Sequence, residues 1–158
     1  MLLDSKKIVL SSAPFSTLRS ALRDIKPCAP VVAEHLAGSL LAFIAAGIYE
    51  ETKKPLLIIG SDEDRAEQLR DDCAVLLGGS GVQLFGTRPM HYAQAIDMSA
   101  TIGQVETLKA LSSSTAKVVI ASSVSILEKI PSPAQFRTTV IEIENGKEYD
   151  FQQLIDRI

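Results

Sequence analysis

The stretch His35-Leu36-Ala37-Gly38-Ser39-Leu40-Leu41-Ala42 joins an apolar run to an Ala- and Leu-rich segment, where a phosphate-binding loop would connect a strand to a helix. Such a loop needs glycines so that backbone N–H groups can approach phosphate oxygens. It also needs a Lys to meet the β- and γ-phosphates and a Ser or Thr hydroxyl to hold Mg²⁺. Gly38 and Ser39 supply the turn and the helix start. Leu40 stands where a further glycine belongs, Leu41 where the Lys belongs, and Ala42 where the hydroxyl belongs. Charge neutralisation and positioning are most of what a protein contributes to phosphoryl transfer. The spacing therefore predicts a degenerate phosphate loop, Gly38 to Ala42, with no catalytic residue, no bound cofactor and no metal. Gly38-Ser39 read equally well as a plain tight turn with a helix cap.

Other residues carry chemistry more loosely. His35 and His91 are the only histidines, and neither has a Cys or carboxylate at metal-ligand spacing, so both read as interfacial or core-edge residues. Asp62-Glu63-Asp64 resembles a metal cluster, but the first turn of a helix explains three carboxylates without a metal. Ser122, Ser123 and Ser125 come after an apolar run. A hydroxyl-rich strand exit suits phosphate contact, and capping of the next turn is the simpler reading. Arg88, within Thr87-Arg88-Pro89-Met90, is the best candidate for an anion contact, and Tyr92 is a candidate anchor for a partner surface. Cys28 and Cys73 show no redox or metal spacing.

The hydrophobic periodicity supplies elements to position these residues. Pro14 opens a helix whose Phe15, Leu18, Ala21, Leu22 and Ile25 recur at helical spacing, closed by Pro27 and Pro30. Residues 31–36 read as a short strand and 39–52 as a helix. Residues 55–60 read as a second strand, whose unbroken Leu56-Leu57-Ile58-Ile59 suits a parallel sheet covered on both faces. Ser61 reads as the N-cap of a helix that runs through Ala66, Leu69, Cys73, Leu76 and Leu77 and stops at Gly78-Gly79. Residues 82–85 form a third strand, 86–97 a loop with a helical turn, 99–111 a helix and 117–121 a fourth strand. A short helix over 124–130 ends at Pro131 and Pro133. This alternation predicts an α/β fold, a three-layer sandwich around a mainly parallel sheet. Beyond Pro133 the pattern changes. Residues 137–144 alternate like a half-exposed strand, Asn145-Gly146 signals a turn, and Asp150 caps a helix carrying Phe151, Leu154, Ile155 and Ile158. The abrupt end reads as a truncated fragment, with 1–134 a first domain and 135–158 the beginning of a second.

Composition bounds the function. At 158 residues the chain has room for one full core, and 46% apolar with 22% charged residues is globular. A net charge of -3 and a sequence pI near 5.4 give no whole-domain attraction to nucleic acid or anionic membrane. The greasiest segment, 36–49, is too short to span a bilayer. No signal sequence is recognisable, so a reduced, cytoplasmic protein is the expectation. Two functions other than a scaffold stay open on the residues: a nucleotide-binding or nuclease-like enzyme working near His35, His91 and Arg88, and a nucleic-acid-binding module working through Arg88 and the Ser122-Ser123 edge.

A resemblance narrows this. Ala37-Gly38-Ser39-Leu40-Leu41-Ala42, Pro55-Leu56-Leu57-Ile58-Ile59 leading into Ser61-Asp62-Glu63-Asp64-Arg65-Ala66-Glu67-Gln68-Leu69, and Val82-Gln83-Leu84-Phe85 occur in that order. Gln104-Val105-Glu106-Thr107-Leu108, Val118-Val119-Ile120-Ala121-Ser122-Ser123-Val124-Ser125 and Ile130-Pro131-Ser132-Pro133 come next. Over nearly the whole chain beyond about residue 25, the sequence resembles the N-terminal, UvrB-like region of bacterial transcription-repair coupling factors. UvrB itself carries a working Walker A loop and an aromatic-rich β-hairpin after the third strand. Leu41, Ala42 and the short segment 88–102 depart from both features and favour the coupling factor. The resemblance implies a degenerate P-loop NTPase-like fold and a non-catalytic scaffold in transcription-coupled nucleotide-excision repair. It further implies UvrA recruitment, mainly through the second domain, and intramolecular restraint of a C-terminal DNA translocase. ATP and Mg would belong to that downstream motor, and RNA polymerase and DNA to other domains.

Overall fold

Three apolar runs pair as a parallel sheet in the computed structural model, which describes residues 2–23, 30–87, 99–141, 143, 145–150, 152 and 155. The strands are β1 (Leu56–Gly60), β2 (Val82–Phe85) and β3 (Val118–Ser122), in the order β1-β3-β2. Leu56 is in register with Val118, Ile58 with Ile120, Val82 with Val118 and Phe85 with Ala121. The central strand β3 is buried at every position. Its alternating side chains divide the core. Val118 and Ile120 join Ala42, Ala45, Ala66, Leu69, Cys73 and Val82, while Val119 and Ala121 join Phe85, Ala110 and Ala116. The helices that supply these residues are α3 (Leu40–Thr52) and α4 (Glu63–Leu77) on the first side and α5 (Ser99–Ser112) on the second. The protein is thus a mixed α/β fold with a small parallel sheet and several helices.

The backbone divides into two compact units, Met1–Leu127 and Glu128–Ile158. In the first, the lead-in forms two helices, α1 (Leu2–Leu10) and α2 (Ala13–Arg23). The sequence foretells α2 but not α1. Gly47 of α3 makes room for both: a Cβ there would collide with Leu10 Cδ2 and lie 2.8 Å from Phe15 Cζ. Ion pairs of Lys6 with Glu50 at 2.6 Å and of Arg19 with Glu51 at 3.0 Å flank the contact. Cys73 is buried and free, and burial, with Asp72 nearby, pushes its thiol up to about 11. No helix among the described residues is long and apolar enough to cross a membrane.

Several sequence expectations are corrected. Residues 31–36 form no strand: β1 pairs only with β3, so their backbone has no ladder partner, and His35 adopts φ 60°. Val32 is left 76% exposed. The N-cap of α4 is Asp62, not Ser61. Asp62 is extended and its carboxylate accepts the Arg65 N–H at 2.8 Å, while the Ser61 hydroxyl donates to Asp62 at 2.7 Å. The expected helix over 124–130 shrinks to one 3₁₀ turn, Ser125–Leu127. In the second unit, the strand expected over 137–144 gives way to a helix, α6 (Pro133–Thr139). There Ser132 and Gln135 form a reciprocal capping box with Pro133 in the first turn, so Pro133 starts a helix instead of ending one. Asn145-Gly146 is a turn, with Gly146 at φ 85°. Asp150 accepts the Gln152 N–H at 2.8 Å, and Gln152 and Ile155 are helical. Phe151, Leu154 and Ile158 of the expected terminal helix lie outside the described residues.

Candidate functional site

The turn that enters α3 is where the sequence reading places a phosphate loop, although residues 31–36 before it form no strand. Gly38 has φ 56°, a left-handed conformation that glycine adopts without penalty. Ser39 precedes the helix but its hydroxyl makes no cap bond. The next amides turn inward: Leu40 N–H bonds the Ala37 carbonyl at 3.2 Å, and Ala42 and Phe43 N–H bond the Ser39 carbonyl at 3.0 and 3.2 Å. The Gly38 carbonyl is held from outside by the Arg65 guanidinium at 3.0 Å. Ala42 is fully buried in the core, and Leu41 packs against the same cluster. The two positions that would carry the ammonium and the hydroxyl therefore face apolar side chains. As it stands, the turn can hold α3 on the sheet, and it has no cation of its own at those positions.

Open parallel sheets bind ligands beyond the carboxyl ends of their strands, and there the first unit gathers a second polar group. Glu63, the first residue of α4, accepts the Thr87 N–H at 3.1 Å and the Thr87 hydroxyl from the exit of β2. From the end of β3 it accepts the Ser122 hydroxyl at 2.9 Å. Ser122 and Ser125 brace each other. The Ser122 N–H donates to Ser125 Oγ at 2.8 Å, and the Ser125 N–H to Ser122 Oγ at 3.0 Å, both residues being fully buried. Ser123 donates its hydroxyl to the Ser61 carbonyl at 2.7 Å. Gln104 of α5 donates to the Gly86 carbonyl at 2.7 Å, fixing the exit of β2. Next to this knot, the Asp62 carboxyl is held below its usual range by the Ser61 hydroxyl and then by the Arg65 N–H. The arrangement ties three loops together through one carboxylate.

The sequence candidates are distributed accordingly. Ser122 is buried with its hydroxyl on Glu63, and Ser123 is exposed with its hydroxyl on the neighbouring loop. The cap-like bond here is the Ser125 N–H to Ser122 Oγ at 3.0 Å, whereas the contacts with Glu63 and Ser61 span 59 and 62 residues. His35 is exposed beside the Gly38 turn. Arg88, His91 and Tyr92 lie outside the described residues. Among the described residues no group of three or more His, Cys, Asp or Glu side chains is placed to hold a metal ion. In the sequence Glu63 stands out only as one of three first-turn carboxylates and Thr87 only as a neighbour of Arg88, and nothing there joins them to each other or to Ser122. Glu63 looks like any first-turn carboxylate, and its partners lie 24 and 59 residues away. No family model matches the chain, and no curated protein matches it either.

Proposed function

We propose that the chain is a non-catalytic scaffold and regulatory domain from the front of a transcription-coupled nucleotide-excision-repair ATPase. The observation that carries this reading is the placement of Leu41 and Ala42 against the core, at the two positions where a nucleotide-hydrolysing relative would present Lys and a hydroxyl. A phosphate loop can lose catalysis and keep its fold when those positions turn apolar, because packing then replaces ligand contact. The engaged hydroxyls of Ser122 and Ser123 add to the case, since the strand exits direct them to other loops of the same chain. On this reading the first unit is a degenerate P-loop NTPase-like domain, and residues 135–158 lead into the domain that meets UvrA. RNA polymerase, DNA, ATP and Mg then belong to later parts of the protein, and the cell compartment is the cytoplasm.

A restraint assay tests the role. The isolated chain, added in trans to a coupling-factor translocase lacking its own N-terminal region, is expected to lower that motor's ATP turnover in a saturable way. Unchanged turnover at a large excess of the chain, or ATP hydrolysis by the chain itself, would contradict the proposal.

A further inference from the structure

Donors from two strand exits converge on a single carboxylate oxygen of a third segment. Glu63 Oε1 accepts the Thr87 N–H, the Thr87 hydroxyl and the Ser122 hydroxyl. The α4 amides take no part in this set, the Arg65 N–H being directed to Asp62. Ser122 is fully buried and is fixed through its own N–H and Oγ by Ser125. Its oxygen is therefore held at that edge before any anion arrives, with Glu63 Oε1 at 2.9 Å and Ser125 Oγ at 3.1 Å as the acceptors within reach. A preformed group of oriented N–H and O–H donors around one oxygen is the chemistry of an oxyanion receptor. We infer that the carboxyl edge is a receptor for a short carboxylate and that its occupant in the native chain is the Glu63 side chain. The inference rests on this donor geometry alone and holds whatever the role of the whole protein.

Substitution Glu63→Ala removes the atoms of an acetate ion and leaves the Cβ in place. The Thr87 N–H and hydroxyl then lack this acceptor and Ser122 keeps only Ser125 Oγ at 3.1 Å, which favours an external acceptor in the vacated space. Thermal unfolding of the 158-residue chain is to be followed in sodium acetate and in sodium chloride of equal ionic strength. The expected result is a saturable rise in the midpoint of Glu63→Ala with acetate, and none with neutral acetamide. Native protein and Glu63→Gln, whose side chain still fills the space, are expected to show no difference between the salts. Adding Ser122→Ala to Glu63→Ala is expected to abolish the response. Equal midpoints of Glu63→Ala in the two salts would overturn the inference. So would an equal acetate response in the native protein, or failure of Glu63→Ala to fold in either salt.

Discussion

Gly38-Ser39 and Gly60-Ser61 place the same dipeptide shortly before a helix, and the two junctions are built differently. At the first, glycine is left-handed with open space where a Cβ would stand, and the serine hydroxyl makes no cap bond. At the second, glycine ends a paired strand with its Cβ position 3.1 Å from the Ala66 nitrogen, and the serine supports an Asp62 cap. The residues just after each pair account for the contrast. Leu41 and Ala42 pack into the core, whereas Asp62-Glu63-Asp64 caps its helix and reaches across to other strands. A Gly-Ser turn alone therefore carries little functional information. The next three residues decide whether the helix start faces core or solvent.

The contrast can be broken by mutation. The largest effect is expected from putting the missing chemistry back. Leu41→Lys with Ala42→Thr forces an ammonium and a hydroxyl toward the core and should lower the unfolding free energy by about 3 kcal/mol. Urea denaturation measures this, and a double variant that keeps full stability would show that the first junction is open to solvent after all. Next, Glu63→Ala removes the acceptor that Thr87 and Ser122 share, leaving Ser122 only Ser125 Oγ, and should cost about 2 kcal/mol in the same assay. A neutral outcome would mean that the three strand exits are held by something other than that carboxylate.

Smaller effects sharpen the comparison. Gly38→Ala meets no atom within 4 Å, so its expected cost of about 1 kcal/mol comes from the left-handed backbone alone. Asn at the same position, which tolerates that conformation, should cost less. The caps separate most finely: Ser39→Ala should leave the denaturation midpoint unchanged, whereas Asp62→Ala should lower it. Asp62 has a lowered pKa in the folded chain. Its charged cap is therefore stabilising above the ordinary carboxyl value and is lost as pH falls through the folded one. Native protein should lose more stability than Asp62→Asn on acidification below about pH 4, as read from urea midpoints across that range.

Much of this architecture is legible in the sequence. The unbroken aliphatic runs at 56–59 and 118–121 mark parallel strands, but only the second is covered on both faces, since Leu57 and Ile59 are exposed. The apolar spacing of Ala66, Leu69 and Cys73 marks the buried face of α4. The misreadings have physical causes. Residues 31–36 open with Val31-Val32-Ala33, apolar enough to suggest a strand, but pairing depends on a neighbour that periodicity does not reveal. Pro131 and Pro133 look like terminators, although a serine between them with Gln135 three residues later is a helix-start signal. The Gly38-Ser39 turn before α3 is visible because it is a local pattern of types. The Glu63–Thr87–Ser122 knot is invisible because it depends on the β1-β3-β2 strand order, which brings three distant loops to one edge.

Titration of the chain with Mg-ATP by calorimetry bears most directly on whether the Gly38 turn is a packing device or a nucleotide site. A packing device gives no saturable heat up to millimolar nucleotide, in the native chain and in a variant with bulk added at Gly38 alike, and that is the expected result. Micromolar affinity in the native chain that disappears in the Gly38 variant would show the turn to be a nucleotide site instead.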